Sequence, residues 1–280
     1  MNNVVFIADF FVDQVLGGGE INNDELIKIL SSQGHSVRQV QSHLVTPDSI
    51  EAFKDSVFVV ANFANLADAA KDALQFKKYI IYEHDHKYLK SRNPATYPDF
   101  LAPQKEIVNK QFYQNAVATL CQSNFHRDIV YKNLRMKNIL SLGGNLWSQH
   151  HLSLFSEMCS VEKSDKCSIM QSHIPHKNTI DAIRYCNIKN ISYDLIPSLP
   201  YEKFLRRLGS NKSLVFFPKT PETLSRIAVE ARMMNMKVIT NGLVGASKED
   251  WFKLRGDELI AVMLGKRKEI ASIVTSQLGI

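Results

Sequence analysis

Two carboxylates at a fixed interval, Glu222 and Glu230, offer the clearest chemistry in this 280-residue chain. They lie in the stretch 213–240, SLVFFPKTPETLSRIAVEARMMNMKVIT. The apolar run at 214–217 predicts a strand. Thr220 can then N-cap a helix whose first position is Pro221, where a missing N–H costs nothing. Leu224, Ile227, Ala228, Ala231 and Met234 follow at helical spacing and supply one apolar face. Val238, Ile239 and Thr240 open a second strand, so the stretch predicts a strand–helix–strand unit in a parallel sheet. On that helix Glu222 falls near the positive end, and Glu230 about two turns later. Two readings are open. Either Glu222 complements the helix dipole and Glu230 is solvated, or the pair grips a polar ligand.

Three further places can do chemistry. Gly17, Gly18 and Gly19 separate a first strand from a helix, where backbone N–H groups can meet an anion. A dinucleotide fingerprint fits this turn poorly, since G-x-G-x-x-G needs glycine where Asn22 stands. Glu83, His84, Asp85 and His86 cluster after the strand at 78–82, at the strand end where open α/β sheets hold ligands. A plain surface turn accounts for them equally, and no HExxH or Cys/His framework supports zinc. Lys177 precedes a helix expected at 179–186, so its ammonium can hold a diphosphate or simply be solvated.

The run P-x3-E-x7-E-A-x6-V-I, met as Pro218, Glu222, Glu230, Ala231, Val238 and Ile239, resembles the donor-binding half of retaining GT-B glycosyltransferases. That family includes sucrose, glycogen and lipopolysaccharide synthases. The GGGE turn, followed by a helix and Gly34-His35-Ser36-Val37, resembles the family's N-terminal pattern. The resemblance implies that Glu230 holds the ribose of a nucleotide sugar and that Glu222 lies against the transferred sugar. Backbone amides of Thr223, Leu224 and Ser225 then face the diphosphate, and Lys177 binds it. Gly18 and Gly19 approach the donor phosphates and the acceptor, and His84-Asp85 match a His-Asp pair whose His approaches the sugar. The sequence also departs from the pattern. An Arg that accompanies the Lys is replaced by Gln171 or Ser172, and Thr223 and Ser225 stand where the family has glycines.

The implied activity is transfer of a hexosyl or pentosyl group from a nucleoside diphosphate sugar, such as a UDP-sugar, to an acceptor hydroxyl. Retention of configuration is implied, with no metal and no further cofactor. The competing classes are a non-catalytic GT-B-like binding module and a nucleotide-sugar epimerase. The net charge of +6 tilts the partner towards anions, such as modified DNA or a membrane glycolipid, without choosing among them.

The elements that must position these residues alternate along the chain. Strands are expected at 4–8, 36–40, 56–61, 78–82, 116–121, 138–142, 168–172, 191–196 and 214–217. Helices are expected at 20–33, 65–76, 105–114, 125–134, 179–186, 200–208, 248–254, 257–264 and 266–278, with Gly34 stopping the first. This α/β alternation, with the resemblance, predicts the GT-B fold: two Rossmann-like domains facing an interdomain cleft. The expected bounds are 1–145 for an acceptor-side domain and 146–265 for a nucleotide-sugar domain. A terminal helix at 266–280 packs back on the first. His150 and His151 are expected as solvated linker residues. No run approaches the roughly 18 apolar residues of a membrane span. The N-terminus lacks a basic region and carries Asp9, so no secretory signal is expected. Four cysteines without CxxC spacing fit reduced thiols in cytoplasm. Cytoplasmic location, peripheral at a membrane if the acceptor is a lipid, is the expectation.

Overall fold

The computed structural model describes residues 2–280. In chain order it holds β1 (Asn3–Ala8), α1 (Gly18–Ser32), β2 (Ser36–Gln41), α2 (Pro47–Ala52), β3 (Ser56–Val60), α3 (Asp68–Leu74) and β4 (Tyr79–Glu83). Then come α4 (Lys110–Asn115), β5 (Ala118–Cys121), α5 (Asn124–Leu134), β6 (Ile139–Ser141), α6 (Gln149–Cys159), β7 (Ser164–Met170) and α7 (Thr179–Ile188). The chain ends with β8 (Tyr193–Ile196), α8 (Tyr201–Leu208), β9 (Asn211–Phe216), α9 (Arg226–Met233), β10 (Lys237–Thr240) and α10 (Asp257–Leu278).

Two sheets form, in the orders β2-β1-β3-β4-β5-β6 and β10-β9-β7-β8. Every strand pairing among the described residues is parallel. The chain divides into two compact units, one ending at Trp147 and completed by Lys266–Ile280, the other spanning Ser148–Gly265. The division falls inside α10.

In the first unit the side-chain period of two sorts the strands into two cores. Val5, Ile7, Phe58, Val60, Tyr79 and Ile81 share one face, with α3 and α4 packed over it through Ala70, Leu74, Phe112 and Tyr113. Val4, Phe6, Ala8, Val59, Ala61, Ile80 and Tyr82 point to the other, against Leu26 and Leu30 of α1. Ile270, Val274 and Leu278 recur every fourth residue on α10 and are buried in that second core, so the chain's end packs here. Arg267 clamps the join. Its guanidinium donates to Glu25 of α1 at 2.5 Å and to the Trp147 carbonyl.

The core of the second unit is smaller: Cys167 and Ile169 of β7, Ala182 and Cys186 of α7, and Val215 of β9. All four cysteines are free.

Several elements differ from the sequence expectation, for reasons of tertiary pairing. The helix expected from Pro221 starts only at Arg226. Glu222 is held extended, because its N–H donates to the Leu243 carbonyl at 2.8 Å and its carbonyl accepts from Gly245 at 2.9 Å. The helix expected at 105–114 is cut to α4, since 107–108 pair with the backbone at 88–89. The residues 248–254 form 3-10 turns rather than an α-helix. The two helices expected at 257–264 and 266–278 are one, α10, which runs through Gly265. His150 and His151 belong not to a linker but to the first turn of α6, which Ser148 caps by accepting from the His151 N–H at 3.1 Å. Gly34 does terminate α1, with φ of 89°.

Candidate functional site

Each sheet has one point where the strand order reverses, β1/β3 in the first and β7/β9 in the second. Ligands of open parallel sheets bind outside the carboxyl ends of strands at such points. The predicted site residues gather at these ends.

In the first unit Gly18 and Gly19 are not in a loop; they form the first turn of α1, with Gly17 as N-cap and no side chain capping it. The first-turn N–H groups are thus not covered by a cap. A Cβ on Gly19 would meet Asn62 Nδ2 at 3.6 Å and His84 Cγ at 3.7 Å, ordinary contact distances, so the turn itself does not demand glycine. Glu20 follows, with Asn62 donating to it at 3.2 Å; burial pushes its carboxyl up.

His84 sits just past β4 with both ring nitrogens engaged. Nε2 lies 2.5 Å from Asn23 Oδ1 on α1, and Nδ1 accepts from the Gln122 side-chain amide past β5. An acceptor at Nε2 and a donor at Nδ1 specify the neutral Nε2–H tautomer. Gln122 is in turn bonded by Asn145 at 3.4 Å. Asp85 faces elsewhere. Its carboxylate takes Lys87 Nζ at 2.9 Å and Arg92 at 3.5 Å.

Lys87 is buried and also binds Glu83 at 2.6 Å. Burial alone would depress its ammonium, but Asp85 and Glu83 outweigh it and hold it raised. Burial likewise raises the Asp85 carboxyl, and Lys87 outweighs it, so the net displacement is downward. Glu83, fully buried, is pushed up by burial against the pull of Lys87, and receives a hydrogen bond from the Tyr113 hydroxyl. One ammonium thus serves two carboxylates and fixes the turn that carries His84. His86 and His126 pack edge to face beside it at 5.1 Å, and burial drives His86 down to about 4.

In the second unit Lys177 follows β7 and Glu222 follows β9. Lys177 Nζ donates to Glu222 Oε1 at 2.8 Å, and stands 5.9 Å from the Phe216 ring centre. Ser172, past the end of β7, has its N–H held by the Thr179 hydroxyl at 3.1 Å. Thr223, Leu224 and Ser225 form the turn into α9. The Leu224 side chain is fully buried and its carbonyl accepts from Ala246 at 2.9 Å. Ser225 is left-handed, φ 78°, the conformation that favours glycine. Its buried hydroxyl has no hydrogen-bond partner among the described residues.

Glu230, one turn into α9, is buried and accepts from the Tyr201 hydroxyl at 2.5 Å; Arg226 stands 3.4 Å away. Tyr201 packs edge-on to His151 at 4.8 Å. The second unit therefore brings Lys177 to Glu222, and carries Glu230 on the helix that the 223–225 turn opens. The E-x7-E spacing joins a loop residue to a helix residue, not two positions on one helix.

Sequence reasoning missed Asn23, Gln122, Tyr201 and Arg226. Arg226 was findable as the i, i+4 partner of Glu230. The other three are brought in by remote segments and carry no local signal.

Among the described residues no group of three or more His, Cys, Asp or Glu side chains can hold a metal ion, and no helix is long and apolar enough to cross a membrane.

No family model and no curated protein matches this chain in sequence. Solved structures do match it in fold. Sucrose-phosphate synthase from Thermosynechococcus elongatus aligns with a TM-score of 0.58 and 10% identity, over 100% of this chain and 94% of that one. HepE from Anabaena, in complex with UDP and glucose, aligns at 0.56 and 11%, over 100% and 94%. An alpha-glucosyltransferase in complex with UDP and DNA aligns at 0.52 and 9%, over 99% and 93%. The chain has the GT-B fold, built on two Rossmann-like α/β units.

Proposed function

We propose that the protein is a glycosyltransferase that moves a sugar from a nucleoside diphosphate sugar to an acceptor hydroxyl, with retention and without a metal. The observation that carries this reading is the Lys177–Glu222 pair at the β7/β9 switch point, beside a turn that opens α9 with an unpartnered Ser225 hydroxyl. A helix N-terminus and an ammonium together suit a diphosphate, and a buried hydroxyl without a partner suits a phosphate oxygen. Glu230 would accept the ribose hydroxyls, held ready by Tyr201 and Arg226. Glu222 and His84 would face the transferred sugar. Asp85, engaged with Lys87 and Arg92, would hold the His84 turn rather than react. Gly18 and Gly19 would offer the α1 N-terminus to donor phosphate or acceptor.

Chemistry of this kind needs stabilisation of a leaving diphosphate more than it needs a strong base. Lys177 and the amides of 223–225 supply positive charge and oriented dipoles for that purpose. UDP, named with two of the structural neighbours, is the first nucleotide to test.

The second reading, a GT-B-like module that binds without catalysis, draws on the neutral pairing of Lys177 and on Gln171 and Ser172 where an Arg is expected. A panel of nucleotide sugars, followed for binding and for release of nucleoside diphosphate with and without acceptors, separates the two. Binding with turnover supports the transferase, binding without turnover supports the module, and no binding of any donor defeats both.

A further inference from the structure

Charge is unevenly divided within the first unit. Residues 1–87 carry twelve acids against seven bases, whereas residues 88–137 carry eight bases against three acids. The first stretch builds β1 to β4, and the second builds α4, β5 and α5. In the sheet order β2-β1-β3-β4-β5-β6 the acids therefore lie towards one edge and the bases towards the other. Ion pairing leaves most of the basic surplus open. Arg127 is taken by Asp128 at 2.7 Å, and Arg92 by Asp85 at 3.5 Å. Lys90, Lys105, Arg135 and Lys137 are exposed and form no ion pair among the described residues.

The same stretch holds apolar groups out to solvent. Leu101 is 47% exposed and Tyr131 49%. Leu101 follows two left-handed residues, Asp99 and Phe100, φ 54° and 60°, a conformation costly for side-chain-bearing residues. Buried Asn133 of α5 fixes that turn, donating to the Phe100 carbonyl at 2.8 Å and accepting from the Ala102 N–H at 2.9 Å. Lys132 Nζ adds a bond to the Asp99 carbonyl at 2.7 Å. The exposure of Leu101 is thus enforced by the backbone and is not slack. Leu89 pairs with Ile107, and the Lys90 N–H donates to the Glu106 carbonyl at 3.1 Å, which joins Lys90 and Lys105 to the same loop.

We propose that this basic face docks on an anionic lipid bilayer. Unpaired bases are attracted to anionic headgroups, and an aliphatic side chain beside them gains by entering the acyl boundary. Leu101 decides between lipid and nucleic acid. It has no ring to stack on a base and no group to bond a phosphate. The acidic half of the unit is repelled by the same surface, which sets the orientation. Docking here leaves the candidate site out of the contact. Gln122 bonds His84 just before α5 begins, whereas Arg135 closes α5 at its other end. The inference therefore stands whether or not the chain transfers a sugar.

The test floats the full chain with vesicles of phosphatidylcholine alone and of phosphatidylcholine mixed with phosphatidylglycerol, and runs a mobility shift with a duplex DNA. The expected result is binding to the mixed vesicles only, lost as salt is raised. Arg135→Gln combined with Lys137→Gln should weaken it about tenfold or more. Leu101→Ser should weaken it about threefold or more. All three positions are exposed, so melting temperatures should stay near wild type and exclude misfolding. No binding to the mixed vesicles overturns the proposal, as does equal binding to both kinds or binding that neither variant weakens. Binding of vesicles and DNA alike that ignores Leu101→Ser is attraction to any polyanion, and overturns it too. So does DNA binding without vesicle binding. Salt-sensitive self-association without vesicle binding also overturns it, since the basic half would then meet the acidic half of a second copy.

Discussion

Lys177 Nζ stands 2.8 Å from Glu222 Oε1, with the two side chains 27% and 14% exposed. The ammonium assigned to the diphosphate and the carboxylate assigned to the sugar therefore compete for one another. A ligand phosphate must take the ammonium away from Glu222 or share it.

That competition separates the two residues experimentally. Lys177→Ala should weaken UDP binding by roughly 10- to 100-fold, the worth of a charge-assisted hydrogen bond. Glu222→Gln removes the internal rival and a negative charge, so UDP binding should hold or tighten while sugar transfer falls. Calorimetric titration with UDP and a turnover assay check both. Weaker UDP binding in Glu222→Gln would refute the assigned roles.

Glu230 is tied to Tyr201 and Arg226 inside the second unit. Glu230→Ala should cost about 1–3 kcal/mol of stability by removing the acceptor of a half-buried phenol and the partner of Arg226, and should weaken nucleotide binding. Tyr201→Phe is the control. It releases the carboxylate for a ribose, so nucleotide affinity should fall far less than in Glu230→Ala. Thermal melting with and without UDP reads both quantities.

Ser225 holds a left-handed backbone and a buried hydroxyl without a partner. Ser225→Gly should relieve about 1 kcal/mol of backbone strain and raise the melting temperature. If the hydroxyl meets donor phosphate, the same variant should bind UDP more weakly, so stability and affinity move in opposite directions. Parallel gains in both would show the hydroxyl has no part in binding.

His84 is held by Asn23 and Gln122 as a neutral imidazole. His84→Ala should lower kcat by roughly 100-fold, within the range of positioned polar groups, and leave UDP affinity near wild type. Gln122→Ala should lower kcat less, by loosening the ring. Single-turnover kinetics beside UDP titration tests this, and a His84→Ala enzyme of unchanged kcat would end the assignment.

Acid should destabilise the first unit through its buried imidazoles. In the folded chain His86 takes a proton only near pH 4, whereas unfolded it does so near its ordinary value. Between those values the unfolded state binds more protons, so stability rises with pH across the window and is lost as pH falls through it. On this account His86 alone costs about 3 kcal/mol of stability, relative to neutral pH, once the pH has fallen through that window. His126, pushed down by burial and by His86, acts in the same direction. Denaturant titrations from pH 7 to pH 4 should show that slope, and His86→Gln should flatten it.

The architecture was largely legible because it rests on local periodicity. Strands such as VVFIA and YIIY are apolar throughout, as strands covered on both faces must be, and Gly34 marked a helix end whose φ only glycine takes easily. The candidate site was legible in part. Lys177, Glu222 and Glu230 stood out by type and spacing, while Tyr201 and Gln122 lie in segments whose own pattern says nothing of their neighbours.

What the sequence by itself determined is the alternation of buried strands and amphipathic helices, and with it two parallel sheets. Residue types along the chain carry that information, since hydrophobic burial acts at every turn and every second residue. What only the tertiary structure decided is the conformation at the strand ends. Thr220 and Pro221 form a sound local helix start, yet backbone pairing of Glu222 with 243–245 overrides it and delays α9 to Arg226. Two hydrogen bonds to a remote segment outweigh one N-cap, and no window of neighbouring residues contains them.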